Sequence, residues 1–447
     1  MIEREAPVTR ATVIHPGLRD HMARADARLE EASGLAEALD MELAEAFIVP
    51  LRKIEPGRFF GRGKVDELKL QLKQTESDVV VIDASLTPIQ QRNLEKAWQV
   101  KVVDRTGLIL EIFGQRARTK EGVLQVELAR LAYERSRLVR TWTHLERQRG
   151  GRGFLAGPGE TQIETDRRLL ADKMAKLRRQ LDDVRRTRAL HRKTRQDTPF
   201  PTVALVGYTN AGKSTLFNTL TGAKVLARDM PFATLDPTVR AVKLPRGMQI
   251  LLSDTVGFIT DLPTELIAAF RATLEEVRDA DILIHVIDAS DPDLEGRVAD
   301  VEGVLKAIEA GREFQQPVIE AWNKSDLLSA DDFEEVELEC MLANRKAGQV
   351  VKLPISAVED INLDALLATI ETALAQRGEV LHLTLPPHEG RAIAWLLANG
   401  DVLREVRDDE TGVVEGDYRL STVDAGRFRA QFPHLAAPLP VDDPYEV

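Results

Sequence analysis

The stretch Thr202–Thr215, TVALVGYTNAGKST, decides the fold of the chain. Its apolar run Val203–Val206 predicts a buried strand, and the residues from Thr215 onward predict a helix. Between them, Gly-x-x-x-x-Gly-Lys-Ser matches a loop whose backbone N–H groups close around phosphate oxygens at a helix N-terminus. Because strand, spacing and helix all fit, a chance glycine-rich turn explains the pattern poorly. We therefore predict a phosphate-binding loop, with Lys213 on the outer phosphates and the Ser214 hydroxyl on Mg²⁺.

Composition indicates a globular chain of several domains. It has 447 residues, of which 43% are hydrophobic and 30% charged. No apolar run approaches the roughly 20 residues of a membrane helix, so we expect no membrane span. The N-terminal residues lack a basic segment followed by an apolar one, so we expect no secretory signal. We expect a cytoplasmic location and leave peripheral association with a membrane open.

The chain contains a single cysteine, Cys340. One cysteine excludes internal disulfides and cysteine-cluster metal sites, and it fits a reducing compartment. Its helical surroundings favour a buried apolar role over a nucleophile.

Charge is distributed unevenly along the chain. The net charge is −12, yet residues 130–196 carry 19 Lys and Arg against 8 Asp and Glu, a local +11 that leaves −23 for the rest. Such asymmetry is typical of a nucleic-acid-facing segment on an acidic body. The alternative for the basic residues is a solvated helix face with intrahelical ion pairs.

Residues 119–195 read as two long helices on either side of the glycine-rich segment GGRGFLAGPGETQ, residues 150–162. This pattern predicts a helical hairpin. A connecting loop of that length is often functional, because plain connectors are shorter. The candidate RNA contacts in and beside this loop are Arg149, Gly151, Arg152, Gly153, Gly157 and Gly159.

Alternating helix and strand patterns predict an α/β fold with four units. Residues 1–118 form an N-terminal α/β domain that starts irregular and continues with a helix within residues 17–40. Residues 119–197 form the basic hairpin. Residues 198–376 form a doubly wound P-loop domain, with a helix from Leu266. Residues 377–447 form a small C-terminal α+β domain of split-βαβ type, with a loose tail.

Three further elements follow predicted strands and should meet the phosphate loop in one crevice. In Asp254-Thr255-Val256-Gly257, the carboxylate holds Mg²⁺ through water and the glycine N–H senses the γ-phosphate. In Asn323-Lys324-Ser325-Asp326, the aspartate accepts both N–H groups of the guanine edge, which favours GTP over ATP. In Ser356-Ala357-Val358, backbone N–H groups meet the guanine carbonyl.

The segment FATLD, Phe232–Asp236, lies between the first helix and the second strand of this domain. We choose Thr234 as a second hydroxyl on Mg²⁺, with Thr238 as its rival. The expected catalytic residues are Lys213, Thr234 and Gly257. The full predicted nucleotide site comprises Gly207, Tyr208, Thr209, Asn210, Ala211, Gly212, Lys213, Ser214, Thr215, Phe232, Ala233, Thr234, Leu235, Asp236, Asp254, Thr255, Val256, Gly257, Asn323, Lys324, Ser325, Asp326, Ser356, Ala357 and Val358.

One position departs from Ras-like GTPases. These place a water-orienting Gln directly after Asp-x-x-Gly, whereas this chain has Phe258. A phenyl ring can neither accept nor donate a proton, so we expect slow intrinsic hydrolysis that a partner completes. Asn210 is similar to an Asn that coordinates K⁺ in some related GTPases. The alternative is an Asn selected for its turn conformation.

Several segments resemble the HflX family of translational GTPases. They are Gly61–Leu68 (GRGKVDEL), Val102–Ala117 (VVDRTGLILEIFGQRA), Leu124–Ala129 (LQVELA) and Gly153–Leu170 (GFLAGPGETQIETDRRLL), together with GYTNAGKSTLFNTLTG and FATLDPTVR. The resemblance spans roughly residues 45–375. It implies a GTP hydrolase that binds the large (50S) ribosomal subunit and its rRNA and is stimulated there. It also implies a role in splitting ribosomes, rescuing stalled ones or ribosome biogenesis. A Phe after Asp-Thr-Val-Gly is usual in this family.

Two other functions stay open at this point. One is a nucleotide-gated RNA-binding factor whose hydrolysis is incidental. The other is a GTPase switch that acts on a protein partner through the acidic C-terminal domain, without RNA. No heptad pattern demands a dimer, so we expect a monomer.

Overall fold

The computed structural model describes residues 8–18, 24–148, 158–196, 200–223, 230–235, 237–261, 271–345, 350–376, 379–408, 411–420 and 422–435. The N-terminal domain is an open sheet with helices on both faces. Its elements are β1 (Arg10–Leu18), α1 (Ala25–Glu37), β2 (Glu42–Leu51), α2 (Arg62–Gln74), β3 (Val79–Ile82), α3 (Pro88–Trp98), β4 (Lys101–Asp104) and α4 (Arg105–Arg116). All four strands are parallel, in the order β2-β1-β3-β4.

The expectation of an irregular start was wrong, because Arg10–Leu18 is an inner strand of this sheet. Pro16 hid the strand in the sequence, since proline cannot donate to a central ladder. In the fold, the pairing with β3 ends at Ile14, so at Pro16 only β2 remains as a neighbour. The helix expected within residues 17–40 accordingly begins later, at Ala25.

Local sequence signals explain the start of α3. The Thr87 side chain accepts from the Gln90 N–H, and the Gln90 side chain accepts from the Thr87 N–H, which completes a capping box. Pro88 occupies the first helical position, where it has no helical hydrogen bond to lose.

The hairpin consists of α5 (Lys120–Gln148) and α6 (Pro158–Gln196). Leu124 and Leu131 of α5 pack against Met174, Leu177 and Leu181 of α6. The glycine-rich loop is shorter than predicted, because α6 already begins at Pro158. Proline is tolerated in a first helical turn, where its missing N–H has no helical partner to lose.

The GTPase domain is built around a six-stranded sheet in the order β10-β9-β8-β5-β7-β6, in which only β6 is antiparallel to its neighbour. The helix predicted from Leu266 starts outside the described residues, which resume at Arg271. The elements are β5 (Thr202–Val206), α7 (Lys213–Thr221), β6 (Thr238–Lys243), β7 (Gln249–Asp254), α8 (Arg271–Arg278), β8 (Ile282–Asp288), α9 (Leu294–Ala307), β9 (Val318–Asn323), α10 (Ala330–Asn344), β10 (Val351–Pro354) and α11 (Leu363–Gln376).

A single apolar cluster joins the N-terminal and GTPase domains. It contains Leu35 of α1 and Phe113 of α4 together with Phe232, Phe258 and Val277 of the GTPase domain. The rings of Phe113 and Phe232 meet edge to face, with centroids 4.5 Å apart. The two domains therefore share a core at the side of the GTPase sheet that carries Phe232 and Phe258.

The C-terminal domain has β11 (Glu379–Leu385), α12 (Gly390–Asn399), β12 (Gly400–Arg407), β13 (Val414–Leu420) and α13 (Thr422–Gln431). The strand β13 lies between β11 and β12 and is antiparallel to both. This confirms the predicted split-βαβ arrangement.

Two expectations from composition can be compared with the structure. Within the described part of the chain, none of the helices is both long and apolar enough to span a bilayer. Cys340 is buried beside Ile287 and Trp322, and burial raises the pKa of its thiol to about 11.

Candidate nucleotide site

The phosphate loop leaves the carboxyl end of β5, which pairs with β7 on one side and β8 on the other. Gly207 and Gly212 have φ angles of +152° and +91°. A Cβ at Gly207 would lie 2.2 Å from the Val286 carbonyl oxygen, and one at Gly212 would lie 2.1 Å from Nδ2 of Asn323. Both positions therefore require glycine, and the loop is pressed against β8 and β9.

Lys213 opens α7 at the floor of the loop. Its Nζ donates to the carbonyl oxygens of Gly207 (3.1 Å) and Tyr208 (2.6 Å). Burial lowers its pKa to about 8, although the Asp254 carboxylate opposes this. An ammonium group held by two carbonyls in a dry crevice is suited to bind a polyanion, which would supply the missing negative charge.

Three oxygen ligands predicted for Mg²⁺ meet beside Lys213. The Ser214 hydroxyl donates to Oδ2 of Asp254 (2.7 Å) and lies 2.8 Å from the Thr234 hydroxyl. Burial raises the pKa of Asp254, against the hydrogen bond from Ser214 and the charge of Lys213. Oδ1 of Asp254 is buried without a partner. Hard oxygen donors with one unsatisfied carboxylate oxygen fit Mg²⁺ and its bound water.

The structure separates Thr234 from its rival. Thr234 is buried and touches Ser214, whereas Thr238 is the first residue of β6 and pairs in register with Asp254. Of the same segment, Phe232 packs on Phe113 and Leu235 lies in the shared core. Asp236 lies outside the described residues. The predicted residues that line one cavity, together with Met230, are Thr209, Asn210, Gly212, Lys213, Ser214, Thr215, Phe232, Ala233, Thr234, Thr255 and Gly257.

The Asp254–Gly257 element runs directly against the phosphate loop. A Cβ at Gly257 would lie 3.1 Å from Nζ of Lys213 and 3.0 Å from Cα of Thr209. The Thr255 hydroxyl donates to the Leu205 carbonyl (2.6 Å), and the Val256 side chain is buried in the shared core. Gly257 is therefore the residue of this element that stands next to the phosphate-binding lysine.

Asn323 joins the two halves of the predicted site, a role that its sequence position did not reveal. Its Nδ2 donates to the Ala211 carbonyl (2.9 Å), and its Oδ1 accepts from the Ala357 N–H (3.0 Å). One buried amide thus fixes the phosphate loop to the loop after β10.

The two loops predicted to read guanine are also bonded to each other. Ser356 donates through its hydroxyl to Oδ1 of Asp326 (2.6 Å), and Ser325 donates to the Ile355 carbonyl (2.8 Å). Lys324 has φ +63° and forms an ion pair with Asp288 (2.7 Å). Val358 is 70% exposed. The carboxylate of Asp326 is therefore held by the side chain of Ser356. The base-contact roles of both loops remain predictions.

Sequence reasoning missed the contribution of the N-terminal domain. The Tyr208 hydroxyl, which belongs to the phosphate loop, donates to Glu31 of α1. Arg105 of α4 donates to the Thr260 carbonyl two residues beyond Phe258. Glu31 resembles any surface residue of an amphipathic helix, so no sequence signal could have identified it. Arg105 stands in the VVDRTG segment, which carried a family resemblance but no assigned role.

Most candidate RNA contacts cannot be placed. Arg149, Gly151, Arg152, Gly153 and Gly157 lie outside the described residues. Gly159 falls in the first turn of α6 rather than in the predicted loop.

Comparison with known proteins agrees with this geometry. Three family models match: "GTP-binding GTPase N-terminal" over residues 26–114, "GTP-binding GTPase Middle Region" over 116–195 and "50S ribosome-binding GTPase" over 202–324. GTPase HflX of Magnetococcus marinus is 51% identical over 87% of both chains. GTPase HflX of Escherichia coli is 42% identical over 91% of this chain and 93% of its own.

A solved GTP-binding protein of Sulfolobus solfataricus, in complex with GDP, is 24% identical over 83% of this chain and 99% of its own, with a TM-score of 0.44. A likeness at that level carries no argument about the site. The identities to the two bacterial relatives, over most of both chains, decide the assignment. This chain belongs to the HflX family of GTPases and is a GTP hydrolase.

Proposed function

We propose that this GTPase binds the large ribosomal subunit through its basic hairpin and couples GTP binding and hydrolysis to splitting, rescue or assembly of ribosomes. Charge carries this proposal. On a protein of net charge −12, the described part of α6 exposes more cationic than acidic side chains. The cationic ones are Arg167, Arg168, Lys173, Lys176, Arg178, Arg179 and Arg186, and the acidic ones are Asp166, Asp172, Asp182 and Asp183. Such a helix attracts RNA phosphates, while the acidic remainder of the molecule is repelled by them. The model match described as a "50S ribosome-binding GTPase" names the same partner.

The α6 helix connects the hairpin to the nucleotide site along the chain. Its last residue, Gln196, precedes β5 by only a few residues, and β5 ends at the phosphate loop. The other helix of the hairpin, α5, packs on the N-terminal domain, where the Tyr133 hydroxyl donates to Asp104 (2.5 Å). A partner that binds the hairpin therefore has a short covalent path to the crevice.

In the crevice, each predicted group has a separate task. Lys213 would exchange its two carbonyl partners for phosphate oxygens, and Asp326 would accept from the guanine edge. Ser214, Thr234 and Asp254 would hold Mg²⁺, which neutralises charge on the β- and γ-phosphates when it is bound. Gly257 would donate its N–H to the outermost phosphate.

Among the described residues of the crevice, none is an evident group for activating water. Phe258 is 2% exposed and lies in the shared core. Its ring is directed into protein, so it neither orients water nor moves a proton. We therefore propose that the ribosome completes the catalytic site.

A bound K⁺ ion is a further part of this proposal. Asn210 has φ +61° and stands on the exposed rim of the loop. Asn tolerates the left-handed region better than most residues, so conformation alone also explains its presence. Equal hydrolysis rates in KCl and NaCl would exclude a K⁺ site, whereas a faster rate in KCl would support it.

The direct test compares GTP turnover by the isolated protein with turnover in the presence of 50S subunits. We expect slow turnover alone and an increase on the order of 100-fold or more with subunits, because partner-supplied groups commonly add that much. Fast turnover alone would contradict the proposal. Stimulation by no ribosomal particle would instead favour a switch that acts on a protein partner.

A second comparison separates coupled hydrolysis from nucleotide-gated RNA binding. A variant that binds GTP but does not hydrolyse it should fail to recycle between subunits. If that variant retained full function while deletion of residues 150–157 abolished it, hydrolysis would be incidental.

A further inference from the structure

Thr260, just after the Asp254–Gly257 element, is held on both sides of its backbone. Its N–H donates to the Tyr208 hydroxyl (2.9 Å). Its carbonyl accepts from Nε (3.2 Å) and Nη2 (2.9 Å) of Arg105. The Thr260 hydroxyl donates to Asp300 (2.7 Å). A segment fixed at every polar group of one residue has little freedom at the residues beside it.

Glu31 connects the two groups that hold Thr260. One of its carboxylate oxygens accepts from Nη2 of Arg105, and the other accepts from the Tyr208 hydroxyl. The side chains of Arg105 and Glu31 are 3% and 7% exposed. The N-terminal domain thus supplies a carboxylate that orients a phosphate-loop tyrosine and an arginine at the same time.

Arg105 and Asp83 of this cluster each favour the charged form of the other. Burial alone would lower the pKa of Arg105, yet the carboxylates of Asp83 and Glu31 raise it above its ordinary value. Burial alone would raise the pKa of Asp83, yet Arg105, His15 and Arg28 hold it well below its usual range. The planar guanidinium donates to Asp83, Glu31 and Thr260 in one fixed fork, a geometry that lysine cannot reproduce.

Between Gly257 and Thr260, the backbone of Phe258 pairs with the phosphate loop. Phe258 donates its N–H to the Gly207 carbonyl (3.1 Å), and its own carbonyl accepts from the Thr209 N–H (2.7 Å). Gly257, the preceding residue, stands against Lys213. The bonds of Phe258 and the bonds of Thr260 therefore restrict together where the Gly257 N–H lies against the phosphate loop.

From this arrangement we infer that Arg105 and Glu31 are positioning residues that give the crevice its preference for a nucleoside triphosphate over a diphosphate. The inference rests on the proposed guanine-nucleotide site. GDP lacks the phosphate that Gly257 would contact, so its affinity depends on the phosphate loop and the guanine-reading loops alone. The triphosphate needs Gly257 in place, and the N-terminal domain keeps it there.

The experiment is a calorimetric titration, in Mg²⁺ buffer, of GDP and of guanosine 5′-[β,γ-imido]triphosphate into the full chain and two variants. Arg105→Lys keeps the charge but cannot bond Asp83, Glu31 and Thr260 together. We expect Arg105→Lys to lower the affinity for the triphosphate analogue about tenfold, which is the effect of one misplaced hydrogen bond to a charged group. The affinity for GDP should fall less than about twofold. Glu31→Gln keeps one hydrogen-bond acceptor and should lower the affinity for the analogue about threefold. This second variant tests the inference if Arg105→Lys does not fold.

Arg24→Lys is the matched control. Arg24 of the N-terminal domain pairs with Asp293 of the GTPase domain (3.0 Å). Because this ion pair involves neither Asp83, Glu31 nor Thr260, the control should leave the ratio of the two affinities unchanged. Equal weakening of both nucleotides by Arg105→Lys, or no effect on either, would overturn the inference. If the unmodified protein bound neither nucleotide, the proposed function would fail instead.

Discussion

The Thr209 N–H donates to the Phe258 carbonyl over 2.7 Å, so the residue that follows Asp-x-x-Gly is paired with the phosphate loop through its backbone. Its ring is 2% exposed. A side chain at this position faces the shared core rather than the phosphates. The path of the backbone would therefore direct even a Gln side chain at this position away from the phosphates.

Replacing Phe258 with Gln should not create a fast hydrolase. The amide would enter an apolar core, and we expect turnover unchanged or lower, with a loss of about 3 kcal/mol in unfolding free energy. Phe258→Leu is the control, which should lose less stability and keep the same turnover. The measurements are steady-state phosphate release and denaturant unfolding. A large rise in turnover with Gln would show that this side chain reaches the attacking water.

Asn323 should matter for both nucleotide affinity and stability. Asn323→Ala leaves the Ala211 carbonyl and the Ala357 N–H unpaired in a buried place, which should cost about 2–4 kcal/mol of stability. We expect guanine-nucleotide affinity to fall at least about tenfold, because the two loops lose their shared anchor.

Asn344 offers a matched control for that variant. It makes the same two bonds, here with the backbone of Lys352, at an exposed site away from the crevice. Asn344→Ala should cost well under about 1 kcal/mol and leave nucleotide affinity unchanged, because water replaces the lost partners. Equal effects of the two variants would argue against a specific role for Asn323.

Acid should destabilise the GTPase domain through His285. Burial in β8, reinforced by the charges of Arg312 and Lys213 and opposed by Glu320, lowers its pKa from 6.5 to about 4. Between pH 6.5 and about 4, His285 is protonated in the unfolded chain but neutral in the folded chain. The contribution of neutral His285 to the free energy of unfolding is therefore fully present above pH 6.5. It falls by about 3 kcal/mol as the pH decreases toward 4.

Unfolding measured between pH 7 and 4 checks this prediction. His285→Gln should flatten the acid loss, whereas His388→Gln, at an exposed histidine, should not. Identical pH profiles for His285→Gln and the unmodified protein would contradict the assignment.

The hairpin should bind ribosomal RNA through phosphate contacts. Arg178→Ala combined with Arg179→Ala removes two exposed charges from α6. We expect weaker binding to 50S subunits and a decrease of about one to two in the slope of log affinity against log salt. Lys96→Ala with Lys101→Ala, two exposed lysines of the N-terminal domain, is the charge-matched control and should change neither quantity. Equal salt slopes for the unmodified protein and both double variants would show that these arginines of the hairpin do not contact ribosomal RNA.

Local signals determined how much of this fold the sequence could predict. The phosphate loop and the split-βαβ order each depend on neighbours in the chain, and the structure contains both. The strand Arg10–Leu18 was missed, because Pro16 is acceptable only where β3 has already ended, which is a tertiary fact. The early start of α6 at Pro158 was also missed, because Pro158 and Gly159 are typical loop residues in a single sequence.

The candidate site shows the same difference between local and tertiary information. Residue types and spacing predicted that Ser214, Thr234 and Asp254 lie together, and the three side chains are in contact in the structure. Nothing in the spacing of Glu31 and Arg105 connects them with a loop more than 100 residues later. Contacts between domains depend on how the domains dock, and the residues involved have no characteristic spacing in a single sequence.

Sedimentation with purified 50S subunits tests the central claim most directly. The full chain is incubated with subunits in guanosine 5′-[β,γ-imido]triphosphate or in GDP and centrifuged through sucrose, with Lys213→Ala as the variant that cannot hold phosphates. We predict that the protein pellets with 50S subunits in the triphosphate analogue, much less in GDP, and in neither case when Lys213 is replaced. Equal sedimentation in both nucleotides, or none in either, would contradict the account.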